Sequence, residues 1–196
     1  PVITVGHIAG ESEPIVDWSG RLDSSILMVG ANNQPNAAGL RYVMQEVLPL
    51  VHLRHPKARV LLAGSVCEAV PDSPHLDKLG YVKDVADVYA KAWLTLNPVQ
   101  SGSGQSIKAV EALSYSIPLV TTVTGARGLP DSEETVFLRV QDADASAMAD
   151  ALVRLLGSAA ERTALSRSAA PYIRHYNKSV LASLVSALAQ PASQRQ

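Results

Sequence analysis

The chain has 196 residues, of which 47% are hydrophobic, enough apolar material for one ordinary core and a single globular domain. Its 17 basic and 18 acidic residues leave a formal net charge of -1, which excludes a global field for nucleic acid or an anionic membrane. Cys67 is the only cysteine, which excludes an internal disulfide and a cysteine-built zinc cage, and fits a reducing, cytoplasmic compartment.

No run approaches the roughly 20 apolar residues needed to cross a bilayer, and no basic-then-apolar leader opens the chain. It begins at Pro1 rather than methionine, which reads as a natural start that has been removed. Residues 1–25 are expected to be an interdomain linker, with a strand at Val2–Val5 belonging to a preceding N-terminal domain. The apolar run Ile26–Gly30 then predicts a strand, and Ala31–Asn36 a polar loop. Leu40, Val43, Met44, Val47, Leu48 and Val51 recur at helical spacing and predict an amphipathic helix from Asn36, kinked by Pro49. Arg59–Gly64 is a second strand and Leu76–Val82 contains a third. Asp84 caps a short helix carrying Val85, Val88 and Tyr89. Trp93–Asn97, Pro118–Thr122 and Val136–Val140 complete six strands. Helices are expected over Gln105–Tyr115, from Asp144 through Leu156, and in two stretches near Ala159–Ser168 and Asn177–Leu188. Residues 26–190 thus form one domain, followed by a disordered tail, 191–196.

Short continuous apolar strands alternating with helices indicate a doubly wound α/β fold, a Rossmann-like parallel sheet of about six strands. In such sheets ligands bind beyond the carboxyl ends of the strands, here the turns after Gly30, Gly64, Asn97 and Thr122. The turn after Asn97 is the most informative. Gly102 and Gly104, flanking Ser103, let the backbone approach a ligand, and the helix entered at Gln105 turns its positive end toward the same place. Lys108 reaches back to an anion there, because helical side chains lean toward the N-terminus. Glu111, one turn on, accepts two hydrogen bonds from a vicinal diol such as a ribose. The same spacing also fits a solvated Lys108–Glu111 ion pair. The Walker and dinucleotide glycine patterns are both absent. Arg127 lies in a glycine-flanked loop at the ligand edge, facing either the ligand or solvent. Tyr81 and Val82 fit either a nucleobase or the core. The five histidines have no metal-ligand spacing, so no metal site is expected.

Pro98–Leu113 resembles the signature segment of the retaining glycosyltransferases built from two facing Rossmann-like domains, the GT-B architecture of family 4 or group 1. The landmarks Val29-Gly30 with Pro35-Asn36, Val47-Leu48-Pro49 with His55-Pro56, Leu61–Gly64, Leu79–Val82 with Asp84, and Pro118–Thr122 with Gly125–Leu129 follow in the family's order. The resemblance covers about residues 26–140. It implies the C-terminal domain that binds a nucleotide-diphosphate sugar donor, with Lys108 on the diphosphate and Glu111 on the ribose. It also implies metal-independent transfer with retention, and no cofactor beyond the donor substrate. The acceptor, a glycan, lipid or protein, would be met through the absent N-terminal domain. This part alone is expected to be inactive, and the parent to be cytoplasmic with peripheral contact at the inner face of a membrane. One departure stands out: the family's first glutamate, eight residues before the second, falls on Ser103. That leaves open a noncatalytic nucleotide-binding or interaction module of the same fold, and an epimerase or phosphorylase on the same scaffold.

Overall fold

The computed structural model describes residues 6–130 and 135–189, so the strand expected at Val2–Val5 and the tail 191–196 lie outside the described residues. β1 (Ser25–Val29) leads into α1 (Gln34–Tyr42), a π-helical stretch (Val43–Val47) and α2 (Leu48–His52). β2 (Arg59–Ala63) continues through a 3-10 turn to β3 (Leu76–Gly80) and α3 (Val85–Tyr89). β4 (Leu94–Asn97), α4 (Ile107–Ser114), β5 (Leu119–Thr122) and β6 (Leu138–Val140) follow. α5 (Ala145–Gly157) and α6 (Ala159–Ala189) are the last described elements.

All six strands pair in parallel, in the order β3-β2-β1-β4-β5-β6. Winding runs outward in both directions from β1 and β4, so the switch point lies between them. Strand side chains alternate between faces, which splits the core in two. Ile26, Met28, Val60, Leu62 and Val120 are buried beneath Leu40, Val47, Val51 and Leu152 of the first-face helices. Leu27, Leu61 and Leu119 are buried with Val110, Leu113 and Ile173 on the other face. Each such side chain contributes about 1.5–3 kcal/mol on leaving water.

Two expectations are corrected. The first helix starts at Gln34, because Asn33 caps it by accepting from Asn36 N and Pro35 suits a first turn. The helical path continues through Pro49. The Leu48 amide bonds back to Val43 O, a π spacing that widens the turn ahead of the proline ring. The two C-terminal stretches are one 31-residue helix with Pro171 inside it. Pro171 forfeits a bond at a cost of about 3 kcal/mol. Leu165, Ala169, Ile173, Tyr176 and Val180 lie on one buried stripe that spans the proline, so packing holds both halves in line.

Residues 6–24 contain no helix or strand and run along α6. Ile15 N donates to Ser166 Oγ (2.6 Å), and Trp18 Nε1 to Thr163 Oγ1 (2.9 Å). The buried Arg162 guanidinium stacks on Trp18 and Trp93, 5.0 and 4.0 Å from the ring centres. It also donates to the carbonyls of Leu155 and Leu156, closing the end of α5. Among the described residues, no helix is long and apolar enough to cross a membrane.

Candidate functional site

The switch point places the turn after β1 beside the turn after β4, and these two turns build the site. Asn97, the last residue of β4, is buried. Its Nδ2 donates to Ser106 Oγ and to Gly125 O, both at 2.9 Å, so it ties the start of α4 to the loop after β5. Between Asn97 and Ser106 the chain forms an open loop in which Gly102 and Gly104 have φ of 132° and 74°. Side chains rarely adopt such angles, which is why glycine occupies both positions. Ser106 makes no side-chain capping bond to α4. The first amides of this helix therefore present donors, and the helix dipole a partial positive charge, on the cleft side.

Lys108 is half-buried in the first turn of α4. Its Nζ donates to Asn36 Oδ1 on α1, and the contact spans the switch point. Burial lowers its pKa to about 8. Lys108 lines an open cleft of about 410 Å³, together with Asn36, Gly102, Ser103, Gln105 and Arg127. Arg127 crosses the glycine loop, its Nε donating to Gly104 O at 3.1 Å. Two cations, a glycine turn and a helix start thus meet around one solvent-open space. That combination is suited to an anion.

Glu111 does not pair with Lys108. Its carboxylate accepts from Tyr89 Oη on α3 at 3.2 Å, and Tyr89 stacks on Tyr115 with ring centres 4.6 Å apart. Burial, reinforced by the Glu111 charge, raises the Tyr89 pKa well above its ordinary value and keeps the phenol a donor. Gln105 has another set of partners. Its Nε2 donates to Gly128 O and to the Tyr176 hydroxyl, and its Oε1 accepts from His7 N. Its carboxamide therefore joins the cleft loop to α6 and to the N-terminal segment. Gly30 follows β1, with N bonded to Ala63 O (3.0 Å) and O accepting from Val66 N (3.1 Å). Tyr81 stands on the surface with 91% of its area exposed, whereas Val82 packs on the edge of the second core.

Two residues were not read from the sequence as site residues. Asn36 is the partner of Lys108, and Tyr89, expected on an apolar helix face, is the partner of Glu111. Both contacts are non-local, at 72 and 22 residues, so no short motif signals them. Among the described residues no group of three or more His, Cys, Asp or Glu side chains is arranged to hold a metal ion.

Comparison with known proteins adds the lineage. No curated protein matches the chain in sequence. A family model described as Glycosyl transferases group 1 matches residues 23–158, more than half of the chain. Solved structures show the same fold at low identity. A Staphylococcus aureus TarM mutant in complex with Fondaparinux, alpha-GlcNAc-glycerol and UDP has a TM-score of 0.75 at 13% identity, over 92% of this chain and 38% of that one. Anabaena HepE in complex with UDP and glucose gives 0.63 at 12% identity, over 84% and 48%. The pneumococcal O-GlcNAc transferase GtfA in complex with UDP and GlcNAc gives 0.65 at 13%, over 91% and 38%. The chain thus spans less than half the length of each of these three proteins. With a doubly wound sheet and a family match running from before β1 to the end of α5, this chain belongs to the group 1 glycosyl transferases.

Proposed function

We propose that this chain is the donor-binding domain of a retaining, metal-independent hexosyltransferase and holds a nucleoside diphosphate sugar in the cleft at the start of α4. In this reading the diphosphate lies over the glycine loop, on the α4 amides, Lys108 and Arg127. Glu111, oriented by Tyr89, accepts from the ribose hydroxyls, and Tyr81 and Val82 border the base. A missing N-terminal domain supplies the acceptor side, so the present part alone does not complete transfer. The parent meets its acceptor, a glycan, lipid or protein, in the cytoplasm, peripherally at the inner face of a membrane. The single observation that carries the reading is the half-buried Lys108 ammonium, lining an open cleft beside a glycine turn and a helix start. The presence of UDP with TarM, HepE and GtfA supports it.

Chemically, the site stabilises a leaving group. As the bond from the sugar to the diphosphate breaks, negative charge grows on the nucleoside diphosphate. The fixed amides and Lys108 meet that charge without rearranging. Ser103, exposed on the loop, supplies a hydroxyl where the family has a carboxylate. That substitution favours a second reading, a noncatalytic nucleotide-binding module. Release of labelled sugar from a labelled donor by the full-length protein separates the two.

The reading is tested by calorimetric titration of UDP, GDP and ADP into this chain, with one nucleotide expected to bind measurably and the cleft residues to shift in NMR spectra. The same titration has a pH signature. The lowered Lys108 pKa means the free ammonium loses its proton near pH 8, whereas a bound diphosphate holds the proton on. Binding is therefore expected to take up a proton above about pH 8, with affinity falling by up to about tenfold per pH unit from there and level just below. A flat affinity between about pH 7.5 and 9.5 contradicts the placement of the diphosphate on Lys108.

A further inference from the structure

We infer that Asn36 is a positioning residue for Lys108, holding the ammonium in place with a neutral acceptor that leaves its other donors to a phosphate oxygen. The inference rests on the reading of Lys108 as the diphosphate ligand. Three features converge on the Asn36 carboxamide. First, it is not needed as a helix cap, because Asn33 already caps α1 through Asn36 N at 3.0 Å. Second, its Nδ2 donates to Ala31 O at 2.8 Å, which fixes the amide orientation and leaves Oδ1 for Lys108 Nζ. Third, Gly30 makes room for it. A Cβ at Gly30 would stand 2.9 Å from Asn36 Nδ2 and 3.1 Å from Cγ, displacing the group. The first strand-to-helix turn is thus shaped around one carboxamide, and that carboxamide reaches across the switch point to one ammonium.

The choice of amide over carboxylate carries the chemistry. An ammonium has three donors, and Asn36 satisfies one without cancelling its charge. The lysine is therefore held against the β1 side of the cleft yet remains electrostatically free for an anion. Aspartate would neutralise it, compete with the diphosphate, and turn an acceptor toward the Ala31 carbonyl in place of the Nδ2 donor.

UDP affinity measured by calorimetry, together with the Lys108 ammonium pKa read by NMR of 13C-labelled lysine, tests the proposal. The proteins compared are the wild type, Asn36→Ala, Asn36→Asp, Lys108→Ala, and the double variant with alanine at both positions. Asn36→Ala is expected to weaken UDP about tenfold in the wild-type background and to have no effect once Lys108 is alanine. Asn36→Asp is expected to raise the Lys108 pKa while weakening UDP by at least as much. If Lys108→Ala itself leaves affinity intact, the diphosphate reading falls and takes this inference with it. If Lys108→Ala weakens binding but Asn36→Ala acts equally in both backgrounds, or in neither, the positioning role alone is overturned. An unmoved Lys108 pKa in Asn36→Asp overturns it too, and this readout applies even if the alanine variant does not fold.

Discussion

Lys108→Ala is expected to weaken nucleoside diphosphate binding by roughly 10- to 150-fold, the equivalent of about 1.5–3 kcal/mol for charge-assisted hydrogen bonds. In the full-length transferase proposed above, turnover is expected to fall as well, because in that reading the contact strengthens as charge develops on the leaving group. The fold should survive. Lys108 is partly desolvated, and its removal leaves Asn36 Oδ1 in a partly exposed position at the edge of an open cleft, where water can replace the lost donor. Calorimetry with UDP at low ionic strength, paired with a melting curve, checks both halves. Unchanged affinity contradicts the reading of the site, and a collapsed melting temperature would attribute the loss to folding instead.

Gly64→Ala is expected to destabilise the domain by at least about 3 kcal/mol, combining a forbidden backbone conformation with overpacking. Gly64 follows β2 with φ of 94°, and a Cβ there would lie 2.3 Å from the carbonyl oxygen of Gly30. Neither side can yield. Gly64 N donates to Gly80 O at 2.7 Å, and Gly30 N donates to Ala63 O at 3.0 Å, so both backbones are pinned at the carboxyl edge of the sheet. For a domain of this size the melting temperature should drop by about 6–12 °C. Gly10→Ala serves as the control, because nothing lies within 4 Å of a Cβ at that position. A Gly64→Ala variant melting within a degree or so of the control would contradict the close approach of the two turns.

The fold was legible in the sequence because buried parallel strands read as unbroken apolar runs, as Ile26–Val29 and Val60–Ala63 do. The glycine turn before α4 was legible for a related reason. Gly102 and Gly104 adopt angles that other residues avoid, so composition reports conformation there. The last helix was read as two stretches because the buried stripe that joins them across Pro171 is revealed only by tertiary packing. At Pro49 the chain keeps its helix by widening the turn ahead of the proline. At the site, Lys108 and Glu111 sit on adjacent turns, a spacing that fits separate ligand contacts as well as a solvated ion pair. The structure instead gives each a partner on another element, Asn36 and Tyr89, across distances that no linear spacing encodes.

The order of the strands has a consequence for solubility. Among the described residues the sheet ends at β3 and β6, the two strands whose outer backbone edges another chain would pair with. On β3, Asp77 is held by Arg59 and Lys78 by Asp72. A foreign strand docking there would have to dismantle or bury both ion pairs. β6 is only three residues long, with Arg139 exposed at its centre, and offers too brief a template to extend. Charge at one border and brevity at the other guard the protein against growing into a ribbon of stacked copies.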